Sequence, residues 1–109
     1  MINIKIMIQI YYYFICIDDR KVGAIRVVDH HTKRNKRISP LYVLPEFRNR
    51  GVAQKAIQIC EAIHGSENWE LETILQEAGN CHLYEKVGYQ KTKKLERIND
   101  KLTLVYYVK

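Results

Sequence analysis

Arg48-Asn49-Arg50-Gly51-Val52-Ala53 stands between an apolar segment closed by a proline, Leu41-Tyr42-Val43-Leu44-Pro45, and a stretch whose apolar residues recur at helical spacing. That order predicts a strand, then a basic glycine-containing loop, then a helix N-terminus. At such a junction the unpaired N–H groups of the loop and first helical turn point outward together, and the helix dipole adds partial positive charge. Gly51 allows close backbone approach to a ligand, and Ala53 keeps the next contact small. Arg48 and Arg50 offer charge-assisted hydrogen bonds. The segment reads as a cradle for phosphate oxygens. Alone, it is better explained as a basic turn that starts a helix.

The residues around this loop predict the rest of the topology. Ile2, Ile4, Ile6, Ile8 and Ile10 alternate with Asn3, Lys5, Met7 and Gln9, and Tyr11 to Ile15 continue the β-formers, so residues 2–17 read as one strand. Residues 18–21 form a turn and residues 22–28 return as a second strand, which makes a hairpin. A polar, basic loop at 29–37 leads into a third strand at 38–44. Val52, Ala53, Ala56, Ile57, Cys60 and Ile63 then fall at steps of three and four on one helix face, and Gly65 ends that helix. A strand at 69–75, a short helix at 79–86 stopped by Gly88, and strands at 89–92 and 102–108 complete the chain. The helix between the strands at 38–44 and 69–75 makes those two parallel neighbours. The fold class is α/β (α+β): a mixed, mostly antiparallel sheet with about two helices.

A second segment, Asn80-Cys81-His82-Leu83-Tyr84-Glu85-Lys86-Val87-Gly88-Tyr89, closes the second helix. Together the two segments resemble the acetyl-CoA-binding signature of the GNAT family of N-acetyltransferases. That family's loop reads Gln/Arg-x-x-Gly-x-Gly/Ala, and Arg48, Gly51 and Ala53 fit it at every defined position. Its second hallmark, Leu-Tyr-Glu-Lys-x-Gly-Phe/Tyr, is matched by residues 83–89. The resemblance covers about residues 11–109.

The resemblance implies an acetyl-CoA-dependent N-acetyltransferase. An acetyl group would pass to a primary amine (a small molecule, or a protein N-terminus or lysine) by direct attack. The two parallel strands would splay apart to admit the pantetheine arm. The main chain of Tyr42, Val43 and Leu44 would pair with the pantetheine amides and polarise the acetyl carbonyl. The loop from Arg48 through Asn49, Arg50, Gly51, Val52 and Ala53 would hold the pyrophosphate. Tyr84 would protonate the leaving thiolate; its alternative is a core aromatic. Glu72 is the general-base candidate, because Leu71-Glu72-Thr73 stands before Tyr84 at the spacing seen in the branch that acetylates ribosomal-protein N-termini. Its alternative is an outward-facing strand glutamate. Glu46 lies too near the phosphate loop for that role, and His30, His31 and His82 are explained as surface residues.

Two departures matter, one for the coenzyme and one for the acceptor. Where many relatives carry an asparagine that contacts the coenzyme, this chain has Glu77, and Asn80 follows three positions later. Typical members of the family begin with a strand and two helices, whereas only about ten residues stand before the hairpin here, so those helices are not expected. The acceptor site is then open to a large substrate, or walled by a second subunit, or retained for coenzyme binding without activity.

A chain of 109 residues is expected to form one domain over 1–109 with one modest core. A net charge of +6 favours a polyanionic partner, and coenzyme A, nucleic acid and an anionic membrane surface all qualify. The rival reading is a basic nucleic-acid module built on Lys33, Arg34, Lys36, Arg37, Arg48, Arg50, Lys91, Lys93 and Lys94. No aromatics are interleaved with those charges as a stacking platform requires, so nucleic acid is disfavoured. The three cysteines lack metal-ligand spacing, which predicts no metal and reduced thiols in a cytoplasm. No apolar run approaches the roughly 20 residues of a membrane span, and no signal peptide is apparent. The alternating isoleucines extend the first strand beyond its partner. That open edge predicts a homodimer.

Overall fold

The computed structural model describes residue 2 and residues 9–109. The strand extension read from Ile4, Ile6 and Ile8 lies outside the described residues. The first hairpin joins β1, Gln9–Ile17, to β2, Arg20–Asp29. Asp18 and Asp19 both take left-handed φ, 48° and 65°, as a two-residue turn between right-twisted strands requires. The turn is therefore tighter than the predicted 18–21. β3, Lys36–Val43, pairs antiparallel with β2. After one 3₁₀ turn, Pro45–Phe47, the chain forms α1, Val52–His64; β4, Trp69–Ile74; α2, Ala78–Lys86; β5, Gln90–Arg97; and β6, Thr103–Val108.

These strands form one mixed sheet of six in the order β1-β2-β3-β4-β6-β5. Every pairing is antiparallel except β3 with β4. β5 runs five residues past the predicted end at Thr92, through Lys93, Lys94, Glu96 and Arg97. Those charges read as a turn in the sequence, yet an edge strand tolerates them because one side stays in water.

One face of the sheet carries Ile25, Val27, Ile38, Trp69, Leu71, Val105 and Tyr107, all buried. Ile57 and Cys60 of α1 and Cys81 and Tyr84 of α2 complete the same cluster, so both helices cover that face. On the opposite face Tyr12, Phe14 and Tyr42 stay exposed.

The buried stripe of α1 turns with the helix. Ala56, Ile57 and Cys60 point inward as expected, whereas Ile63 is 57% exposed. Glu61 and His64 continue the i, i+3, i+4, i+7 row in its place. Both are polar, and both have partners. Glu61 takes Lys109 Nζ at 2.9 and 3.1 Å and the Tyr89 hydroxyl at 3.4 Å. His64 places Nδ1 2.8 Å from Asp29 Oδ2 and Nε2 2.8 Å from the Tyr13 hydroxyl. Buried polar groups need such partners, and here they tie α1 to β1, β2 and the C-terminus. Ile59 and Ile63 instead line an apolar groove against Tyr13 and Ile15 of β1.

Candidate functional site

β3 and β4 pair at only two positions, Lys36 with Trp69 and Arg37 with Glu70. Beyond Arg37 the parallel ladder stops and the strands diverge. From Ile38 to Val43, β3 keeps its pairing with β2 but has no β4 partner. Apart from the Val43 carbonyl, which Arg48 holds, backbone polar groups facing that gap are available to a ligand. An extended chain with amide groups fits such an edge.

The loop at the wide end of the gap is held by its own backbone. The Leu44 N–H donates to the Val22 carbonyl at 2.8 Å, and the Phe47 N–H to the Leu44 carbonyl at 2.9 Å. Arg48 Nε donates to the Val43 carbonyl at 2.8 Å, and its guanidinium stands 5.2 Å over the Tyr42 ring. Asn49 and Gly51, with φ of 63° and 76°, turn the chain into α1. Gly51 is the N-cap and brings no capping side chain, so the N–H groups of the first turn stay open. A Cβ built on Gly51 meets nothing within 4 Å. The space in front of the helix N-terminus is therefore open.

That space belongs to a groove of about 380 Å³ between the loop and α2. Val43, Arg48, Asn49, Gly51, Val52, Ala53 and Asn80 line it, so seven residues singled out in the sequence converge there. Arg50 faces the other way: it lines the groove between β1 and α1, with its guanidinium 5.5 Å from the Phe47 ring centre. Tyr42 and Leu44 do not line this groove. Phe47, Gln54, His82, Leu83 and Lys86 line it without having been anticipated. The last three form an i, i+1, i+4 set on α2 with Gly79 one turn before. Leu83 and Lys86 belong to the hallmark matched at 83–89, whereas His82 read as surface. Lys86 adds a cation opposite the loop.

Tyr84 and Glu72 flank the sheet from opposite sides. Tyr84 is 8% exposed on the helix-covered face, with the Tyr89 and Tyr107 rings each 6.1 Å away. Burial, aided by nearby Cys81, pushes its phenol above the usual value, so it stays protonated at neutral pH. Its hydroxyl forms no hydrogen bond among the described residues. Leu71 packs into the core, so its neighbour Glu72 points to the helix-free face. There Arg37 Nη2 donates to Glu72 Oε1, while Nη1 sits 3.6 Å from Glu70 Oε1. Glu72 Oε2 is shut off from solvent and has no hydrogen-bond partner among the described residues.

The proposed basic face is largely engaged elsewhere. Lys36 donates to the Glu67 carbonyl at 2.7 Å and stands over Trp69, Arg37 holds Glu72, and Lys94 lies 4.3 Å over the Tyr106 ring. Among the described residues, no helix is long and apolar enough to cross a membrane.

A family profile described as an acetyltransferase (GNAT) domain matches residues 9–91. No curated protein sequence matches the chain. Among solved structures, the fold is similar to that of the IAA acetyltransferase from Bacillus cereus ATCC 14579, with a TM-score of 0.74 at 13% identity, over 88% of this chain and 74% of that one. It is similar to a GNAT family acetyltransferase from Elizabethkingia anophelis with acetyl-CoA bound, with a TM-score of 0.70 at 15% identity, over 88% of this chain and 72% of that one. The ribosomal-protein-S18-alanine N-acetyltransferase from Escherichia coli gives 0.76 at 10% identity, over 90% of this chain and 66% of that one. At such identities the likeness is one of fold.

Proposed function

Because the chain belongs to the GNAT family of acetyltransferases, we propose that it transfers an acetyl group from acetyl-CoA to a primary amine, acting as one acetyl-CoA-binding domain. The observation that carries this reading is the groove at the open N-terminus of α1, which meets Val43 at the wide end of the gap between β3 and β4. The donor set fits the cosubstrate: unpaired N–H groups beside Gly51, the remaining guanidinium N–H groups of Arg48, and Lys86 across the groove suit a pyrophosphate. Of the stretch Tyr42, Val43 and Leu44, the Val43 N–H is the group left free toward the gap, and it suits a pantetheine carbonyl. Asn80, in the first turn of α2, reaches the same groove.

The chemistry follows from which groups lie on each side of the sheet. A thioester lying in the β3–β4 gap has Tyr84 on one side and Glu72 on the other. The amine nitrogen attacks the carbonyl carbon and gives a proton to Glu72. The carbon–sulfur bond breaks, and the departing sulfur takes the Tyr84 proton. A backbone N–H of β3 stabilises the oxygen as it gains charge. Glu72 Oε2, desolvated and without a donor, suits an incoming N–H, although an amine reaches it only by displacing a neighbouring side chain. Holding both reactants in line supplies most of the acceleration.

Among the described residues no helix covers the face that bears Glu72, which favours a large acceptor such as a protein N-terminus or lysine. The reading includes a homodimer through the edge strand β1, which carries no charged residue and exposes Tyr12 at 74% and Phe14 at 66%. It also includes a cytoplasmic setting, in keeping with the free Cys16, Cys60 and Cys81. The test is a screen of amines, peptides and small metabolites for thiol release from acetyl-CoA. Acceptor-dependent release supports the reading. Coenzyme A binding with no release on any acceptor makes the chain a binding module instead.

A further inference from the structure

We propose that Arg37 is a positioning residue: it fixes the carboxylate of Glu72 through Oε1 and so leaves Oε2 as the oxygen that takes the amine proton once the side chain covering it is displaced. The inference rests on the reading of Glu72 as the general base. Arg37 occupies the last paired position of the parallel ladder, opposite Glu70, immediately before β3 and β4 part. Its guanidinium spans the two strands on the helix-free face, with Nη2 on Glu72 Oε1 and Nη1 3.6 Å from Glu70 Oε1. The Asn35 amide donates to Glu70 Oε2 at 3.3 Å and braces the second carboxylate.

A planar guanidinium has two donors in fixed relation, so engaging both glutamates also sets its own orientation. One oxygen of Glu72 is consumed, and the other is left without a donor. A carboxylate held in this way cannot rotate freely. A strand-end arginine that served only to staple β3 to β4 would need Glu70 alone. Arg37 has a second contact, on the residue that faces the reaction, and the two roles therefore separate experimentally. A lysine keeps the charge but has no fork with which to engage both carboxylates at once.

A double-mutant cycle distinguishes the roles, read as thiol release from acetyl-CoA with a short peptide bearing a free α-amino group as the acceptor. With Glu72 present, Arg37→Gln lowers kcat by about ten- to a hundredfold and leaves KM for acetyl-CoA unchanged. In a Glu72→Gln background the same substitution changes kcat by less than about twofold, because the group it positions is gone. Arg37→Lys gives an intermediate kcat in the wild-type background. Equal losses in both backgrounds, or full rescue by lysine, overturn the inference while leaving Glu72 as base. Unchanged turnover in Glu72→Gln overturns the reading of the base and the inference with it. Melting temperatures of all five proteins separate a folding defect from a change in turnover.

Discussion

A Cβ atom placed on Gly23 would stand 2.3 Å from the carbonyl oxygen of Tyr42 and 3.2 Å from the Val43 Cα. β2 and β3 approach so closely here that no side chain fits. The obstacle is backbone, which cannot swing aside. β3 is also the strand whose free edge is proposed to bind the pantetheine arm.

Gly23→Ala therefore does two things at once. It forces β3 away from β2, with an overpacking cost of about 1–3 kcal/mol that thermal unfolding will register. It also displaces Tyr42 and Val43, so coenzyme A affinity falls by more than the lost stability accounts for at a temperature where the variant is still folded. A variant with wild-type stability and affinity would show that β2 and β3 have freedom to part at this point.

Tyr84→Phe separates packing from chemistry. The hydroxyl has no hydrogen-bond partner among the described residues, so its loss leaves the melting temperature nearly unchanged. Positioned general acids contribute about 10²- to 10⁴-fold, and turnover should fall by about the lower figure, because a thiolate leaves readily at neutral pH. Affinity for acetyl-CoA stays the same. Full turnover in the phenylalanine variant, with chemistry rate-limiting, would return Tyr84 to the core as a packing residue.

Asp29 ties stability to acid pH. Burial pushes its carboxyl up, but the His31 N–H and the His64 ring outweigh that and hold it below the usual carboxylate value. A depressed carboxylate stabilises the fold fully above its unfolded value, near about pH 4, and that contribution is lost as pH falls through the folded value. Denaturant unfolding from pH 6 down to pH 2 should show wild type losing stability more steeply than Asp29→Asn below about pH 4. Parallel curves would mean that the bonds to His31 and His64 carry no net charge coupling.

The two segments at 48–53 and 80–89 were legible because they depend on local order: strand, loop, helix start, and a helix stripe ending in glycine. The hairpin, the parallel neighbours and both helices were legible for the same reason. What escaped depends on partners distant in the chain. Glu61 takes the inward position expected of Ile63 because Lys109 and Tyr89 reach it from the C-terminal half. Arg37 read as one charge in a basic run, since Glu70 and Glu72 come beside it only when β3 meets β4. Gly23 gave no signal, because the clash it avoids lies across a strand pair. β5 was cut short because its charged residues resemble a turn until the strand is known to lie at an edge.

Calorimetric titration with acetyl-CoA tests the central claim most directly, because it needs no acceptor. Wild type should bind one equivalent saturably. Arg48→Ala removes a charge-assisted bond of about 1.5–3 kcal/mol and should weaken binding by about ten- to a hundredfold. Gly51→Val should do at least as much, by straining a left-handed residue at φ 76° and filling the space before the helix. Absence of binding in wild type, or equal affinity in all three proteins, would contradict a phosphate cradle at the N-terminus of α1.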